Sequence, residues 1–476
     1  MNALHRDLNR LVPLVEERGR AQRKDDQTRL RFHLMPPVGW LNDPNGLCWY
    51  QGNYHVFYQY GPFDPTGGVK FWGHWSSPDL RNWKQEPVAM CPDQPWDIHG
   101  VYSGSALAED DALYLYYTGN VKYAGDYDYV YEGRGHNLAL GITRDGVHIE
   151  SKMLLMENKD YPADVSCHVR DPKVWKQEDT YYMVLGARTK RDRGELLVYA
   201  SRDRLHWSLC NTITTPDVFG YMWECPDLFC VDGQWILSLS PQGLEQDGCK
   251  YQNVYSCGYF PLYGDFRGAY TLGDYVESDV GFDYYAPQTF VAPDGRRIVI
   301  GWMGMPDAAY TNPTAEQSGW QHCMSVPREL HWKEGKVFAA PVRELEELRE
   351  NGRTETLSGH TQLALGEGTD LLLDNTGDSL HLSIGKDDAV IHWDDGLLTL
   401  TLSENAGYGR TQRVLPLDRL IHLRLLIDTT SLELFVNGGE QTMSTRYYPT
   451  KADTLAIDGQ GAVQLYDMRP MTFQWA

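Results

Sequence analysis

The rhythm of apolar and polar residues changes three times along the chain. Residues 1 to 25 carry Leu4, Leu8, Leu11 and Val15 at helical spacing, interrupted by Pro13. They predict a helical arm lying on the main body. Residues 26–340 are β-like. Five aromatic or β-branched runs resemble one another: YHVFYQY (54–60), ALYLYYTG (112–119), TYYMVLGA (180–187), QWILSLSPQG (234–243) and RRIVIGWMG (296–304). Their starts lie roughly 55 to 70 residues apart, and such a period marks a repeated supersecondary unit. Several units continue with a polar turn and an outer strand, as in SPDLRNWKQE (77–86), TRDGVHIESK (143–152) and SRDRLHWSLC (201–210). Five such units predict an all-β fold built on a five-bladed β-propeller. Residues 341–352 read as a charged linker helix, with Leu345 and Leu348 as its apolar contacts. From 353 to 476 apolar and polar residues alternate strictly, as in SLHLSI (379–384), LLTLTL (397–402), HLRLLID (422–428) and LELFVN (432–437). With the hairpin signal Asn437-Gly438-Gly439, this predicts a C-terminal β-sandwich.

The periodicity locates candidate chemistry. In a propeller the first strand of each blade lines the central channel. Just before the five runs stand Asn42-Asp43, Tyr102-Ser103, Arg170-Asp171-Pro172, Trp223 to Asp227, and Asp283 to Gln288. These groups are expected to meet at one mouth of the channel. Three of them carry acids at equivalent places: Asp43, Asp171 and Glu224. Asp43 sits in Trp40-Leu41-Asn42-Asp43-Pro44-Asn45-Gly46, a cluster of turn formers leading into a strand.

Composition narrows the chemistry. The 30 Tyr and 15 Trp suit sugar rings, and also β-sheet cores. A formal net charge of -22 argues against nucleic-acid binding, and against an anionic substrate unless cations cluster at the site. Nine scattered Cys without CxxC pairs indicate neither a disulfide framework nor a zinc site. The 15 His show no paired ligand spacing, so no metal and no cofactor is expected. The N-terminal stretch lacks the apolar core of a signal peptide, and no apolar run approaches a membrane span. A cytoplasmic protein without membrane or nucleic-acid partners is the expectation. The oligomeric state stays open, a homodimer among the choices.

Converging carboxylates in an aromatic pocket fit glycosidic bond cleavage. One acid protonates the leaving oxygen, and another attacks the anomeric carbon or activates water. The residues alone leave retention and inversion undecided. Singly, Arg170 and Asp171 could be an ordinary ion pair, and Glu224 a buried hydrogen-bonded acid.

Taken together, WLNDPNG (40–46), FYQ (57–59), YSGSA (102–106), RDPKVW (170–175), WECPDLF (223–229) and YAPQTF (285–290) resemble the β-fructofuranosidases, the family-32 glycoside hydrolases. LELFVNGGE (432–440) and STRYYP (444–449) extend the resemblance into the second domain. It implies a propeller followed by a sandwich. It also implies that Asp43 is the nucleophile of a retaining reaction and Glu224 the acid/base. Asp171 would hold fructose hydroxyls and stabilise the oxocarbenium-like state. Trp40, Leu41, Asn42, Gln59, Trp72, Tyr102, Ser103, Arg170, Asp283 and Tyr285 would complete the fructose pocket.

Within that family, KFWGHWSSPDLRNW, YTGNVK (117–122) and FGYMWECPD (219–227) look most like the bacterial sucrose-6-phosphate hydrolases. Gly67 stands where many members have a Trp. A phosphorylated small-molecule substrate needs cations. Lys70 and Lys122 are the candidates, and the cluster Arg188, Lys190, Arg191 and Arg193 reads better as a solvated hairpin end. The alternatives are an invertase or short-fructan hydrolase without phosphate preference, a transfructosylase, and a non-catalytic sugar-binding propeller.

Overall fold

The computed structural model describes every residue except Met1 and Lys24, two positions of the expected arm. Five sheets precede a sixth, larger one. The second sheet shows the basic unit: four antiparallel strands in chain order, Val101–Ala108, Leu113–Lys122, Arg134–Thr143 and Ser151–Met156. The third repeats it from Val165–Gln177 to Ser208–Ile213. The innermost strands are Gly39–Tyr50, Val101–Ala108, Val165–Gln177, Met222–Val231 and Tyr285–Val291. Each packs against the next, and the last packs against the first. The result is a propeller-like arrangement. The predicted runs form the second strand of each sheet, and their near-total burial explains why they read as continuous apolar stretches.

Each innermost strand carries a register shift at its motif: between Leu41 and Pro44, Tyr102 and Gly104, Arg170 and Lys173, Glu224 and Asp227, and Tyr285 and Gln288. The extra residues bulge, and a bulge re-aims the neighbouring side chains. Asp171, Cys225 and Ala286 hold left-handed backbone at φ 64°, 46° and 50°. Such conformations cost about 1–3 kcal/mol each for residues with a Cβ. Opposite the third bulge, a Cβ on Gly186 would lie 1.9 Å from the Trp223 carbonyl oxygen. The absent side chain lets the third and fourth sheets approach where Arg170 and Glu224 meet.

The first sheet is stitched from distant pieces. Trp320–Gln321 pairs in parallel with the start of Gly39–Tyr50, and Thr472–Gln474 pairs in parallel with the outer strand Asn82–Gln85. The arm is one helix, Ala3–Gln22, that continues through Pro13. Its docked face is not the anticipated stripe. Val12 and Glu16 are buried and Leu8 packs beside them, whereas Leu4 and Leu11 are exposed. Glu16 accepts hydrogen bonds from Tyr60 and Gln85, so a polar anchor sets the helix rotation.

In place of the expected linker helix is a 3-10 helix, Arg343–Leu348, and strand begins at once with Arg349–Ala364. Leu345 and Leu348 are its buried residues. The ten-stranded sheet that follows folds around a separate aliphatic core, giving the C-terminal β-sandwich. Buried charge joins it to the propeller. Arg328 donates to Asp279 at 3.1 Å and to Glu433 at 2.6 Å, and Arg410 donates to both oxygens of Asp283. His33 lies between Asp428 and Glu433, 2.8 Å from each.

Candidate active site

The starts of the innermost strands and the ends of the second strands open into one cavity of about 320 Å³. Asp43, Asp171 and Glu224 all line it. Trp40, Asn42, Gln59, Lys70, Tyr102, Ser103, Arg170 and Tyr285 line it as well.

Asp43 sits within the first bulge. It accepts a 2.6 Å hydrogen bond from the Ser103 hydroxyl, and the Cys225 thiol lies 3.6 Å away. Burial raises its pKa, with Ser103 and Asn42 opposing and the charge of Glu224 adding to the rise. Asp171 accepts the Cys225 backbone N–H at 2.8 Å, a contact made by the left-handed turn at Cys225. Burial pushes the Asp171 carboxyl up to about 7, against the pull of Arg170 and with the push of Glu224.

Glu224 is held on both oxygens. Arg170 donates to Oε1 from Nε at 3.2 Å and from Nη2 at 2.5 Å. Gln242 and Tyr285 each donate to Oε2 at 2.7 Å. Arg170 is itself fixed by His168, whose Nδ1 lies 2.7 Å from Nη1. With His168 Nε2 3.2 Å from the Tyr129 carbonyl, the ring carries its proton on Nε2 and accepts on Nδ1. Burial first, then the nearby Arg170 and Arg134, push His168 down to about 2, so it stays neutral.

Four sequence candidates lie elsewhere. Leu41 is fully buried in the core, because alternation along the strand turns it away from Asn42. Trp72 is also fully buried and acts from behind, its indole N–H donating to the Tyr102 carbonyl. Asp283 is consumed by Arg410 of the sandwich. Lys122 is exposed, with Nζ over the Tyr129 ring at 5.6 Å, and does not line the cavity. The Arg188 cluster is a hairpin end: Arg188 pairs with Asp192, Lys190 with the Ala163 carbonyl, and Arg193 with Thr214.

The cavity also includes residues not anticipated: Arg134, Gln242, Trp302, Pro306 and Asp307. Gln242 ends the second strand of the fourth sheet, and Trp302 and Gln59 lie within two residues of the ends of those of the fifth and first. That shared position near a strand end is the signal that could have found Gln242 and Trp302. Trp40 and Trp302 form an aromatic wall, ring centroids 6.0 Å apart. Near Gly67 no ring intrudes, and a Cβ there would lie 4.0 Å from Lys70 Nζ.

Comparison with known proteins shows the family. The family model for glycosyl hydrolases family 32 N-terminal domain matches residues 33–341, and that for glycosyl hydrolases family 32 C terminal matches 395–465. The chain is 39% identical to the sucrose-6-phosphate hydrolase of Bacillus subtilis (strain 168), over 94% of this chain and 95% of that one. It is 37% identical to the sucrose-6-phosphate hydrolase of Klebsiella pneumoniae, over 93% of each. Among solved structures it is similar to a sucrose-6-phosphate hydrolase from Lactobacillus gasseri, with TM-score 0.88 and 30% identity over 96% of this chain and 97% of that one. It is also similar to a family-32 β-fructofuranosidase of Bombyx mori, with TM-score 0.83 and 30% identity over 97% and 98%.

Proposed function

Because the chain belongs to glycosyl hydrolase family 32, we propose that it is a retaining β-fructofuranosidase that hydrolyses sucrose 6-phosphate to fructose and glucose 6-phosphate. Sucrose is the secondary substrate. The observation that carries the reading is the single cavity around Asp43, Asp171 and Glu224, in a chain whose relatives are named for that phosphorylated sugar. The five sheets act as five blades, a view supported by the neighbour contacts that run from each innermost strand to the next. The chain divides into an arm (1–25), the propeller (26–340), a linker (341–352) and the sandwich (353–476).

Asp43 attacks the anomeric carbon of the fructosyl unit. The bond to the glucosyl oxygen breaks as that oxygen takes the proton from Glu224. Water then attacks the fructosyl-enzyme bond, giving its proton back to Glu224 and releasing Asp43. The four donors around Glu224 fix the orientation of its carboxyl group. For the first step Oε2 needs a proton, and the Tyr285 hydroxyl has another acceptor in the Ser240 carbonyl at 3.5 Å. Asp171 orients fructose hydroxyls beside Asp43. Trp40 and Trp302 form the apolar wall, and Asn42, Gln59 and Ser103 the polar floor. Lys70 offers positive charge to the leaving sugar. The reaction uses carboxylates alone and needs no metal or cofactor. A phosphorylated sugar as substrate supports a cytoplasmic location.

The test is kcat/KM on sucrose and on sucrose 6-phosphate, side by side at two ionic strengths. A preference for the phosphorylated sugar that shrinks with salt supports the reading. Equal rates would leave an invertase with the same three acids.

A further inference from the structure

The cavity rim holds positive charge that the protein itself does not neutralise. Arg134 opens the third strand of the second sheet and lines the cavity. Its Nε is buried without a partner, and Nη1 has only the His136 ring, at 3.4 Å. Directly opposite on the neighbouring strand is Lys122, a second cation. Like charges facing each other across a sheet repel. Beneath them lie two histidines, His136 and His168, with ring centroids 5.3 Å apart. Both are kept neutral by burial and by the cations around them, Arg170 and Arg134 in each case. Among the described residues, Arg170 is the one of these cations with carboxylate partners, Glu224 and Asp171.

In a chain of net charge -22 this local excess is informative. Carboxylates are plentiful, yet among the described residues none is placed against Arg134, while a guanidinium in a half-buried cleft gains most from an anion. Further donors flank the site. Tyr102 lines the same cavity, its ring 5.8 Å from that of His136. The Val101 backbone N–H donates to the Lys70 carbonyl, which places the lysine beside Tyr102. Lys70 Nζ lies over the Trp40 ring at 4.7 Å, on the side left open by Gly67.

We propose that Arg134 is the principal contact for a phosphate monoester on the leaving sugar, its guanidinium gripping two phosphoryl oxygens, with Tyr102 and Lys70 completing the site. The inference rests on the phosphorylated-substrate reading and goes beyond it by naming the residue that enforces it. The catalytic acids occupy the cavity floor, so the aldose leaves past this rim. Arg134 would act on substrate choice and leave the chemistry to the acids.

The experiment compares the wild type with R134Q and R134K. It reads kcat/KM for sucrose 6-phosphate and for sucrose, together with inhibition of sucrose hydrolysis by inorganic phosphate. A charged hydrogen bond is worth roughly 1.5–3 kcal/mol, so the preference for the phosphorylated sugar should fall about 10- to 100-fold in R134Q. Inhibition by phosphate should weaken in parallel. R134K should lie between, since it keeps the charge and loses the fork. An unchanged preference in R134Q and R134K, or an equal loss on both sugars with phosphate inhibition intact, would overturn the proposal. A wild type that does not distinguish the sugars would overturn the substrate reading, and this inference with it. A wild type that does distinguish them, with variants that keep the preference, would sink this inference alone.

Discussion

Arg170 directs two donors at one oxygen of Glu224 while accepting its own support from His168. The proposed proton donor is therefore positioned by a residue that is positioned in turn by a neutral imidazole. Protonating or removing that imidazole would loosen Arg170 without touching Glu224.

His168 is the testable member of this chain. H168F should lower kcat about tenfold, the order of one hydrogen bond to a charged group, with a smaller change in KM. H168N, which can still offer an acceptor, should restore part of the loss. A fall in kcat that H168N does not rescue would reduce His168 to a packing role.

Asp43 and Glu224 should separate by leaving group. E224Q is expected to lose about 10²–10⁴-fold on sucrose, the span of general acid–base catalysis, and much less on a β-fructofuranoside with an activated leaving group. D43N should lose on the order of 10⁴-fold or more on both, since the nucleophile serves every substrate. If D43N kept its turnover, the double-displacement mechanism would be wrong.

Lys70 gives a pH signature. Burial pushes its ammonium down to about 8, with Asp43 and Asp64 opposing. Its charge is therefore present below pH 8 and lost as pH rises through that value. The KM for sucrose 6-phosphate should climb across about pH 7–9 (about one unit either side of the midpoint), and the KM for sucrose should not follow. K70M should flatten the difference. Parallel pH profiles for the two sugars would argue that Lys70 stays clear of the phosphate.

His33 ties stability to pH at the joint between the domains. Burial alone would lower its pKa, but the carboxylates of Asp428 and Glu433 on its two ring nitrogens push it up to about 9. A raised value means that protonation stabilises the fold. The contribution is full below about pH 6.5, the unfolded value, and fades as pH rises through about 9. The melting temperature should fall over that window. H33Q should cost about 3 kcal/mol at neutral pH, because it leaves two buried carboxylates short of a partner, and should lose the slope. Thermal unfolding of both proteins from pH 6 to pH 9.5 checks this.

The sequence made the floor of the site readable because the floor repeats. Asp43, Asp171 and Glu224 occupy equivalent bulges, so one period locates all three. The rim does not repeat. Arg134 begins a third strand after an irregular hairpin, and nothing in its spacing marks it. Trp72 and Asp283 show the converse. Each stands next to motif residues, yet Trp72 supports Tyr102 from behind and Asp283 faces Arg410, a partner 127 positions away. Pairing of that range is fixed by how the two domains dock, which no local pattern carries. The helix of the arm was legible but its docked face was not, for a related reason: its leucine stripe is plain, but Tyr60 and Gln85 decide which face of the helix is buried by capturing Glu16.

The first sheet has a consequence for how the chain reaches its native state. Its outer strand, Asn82–Gln85, waits for Thr472–Gln474, and Thr472 pairs with Asn82 across 472 − 82 = 390 positions. A chain emerging from the ribosome can form the middle sheets as they appear, but this edge stays bare until Thr472–Gln474 is out. An uncovered edge invites pairing with another molecule. The dangerous interval is therefore late in synthesis. Removing the segment after Arg469 should leave the catalytic residues in place, yet yield a protein that clumps before it can be assayed.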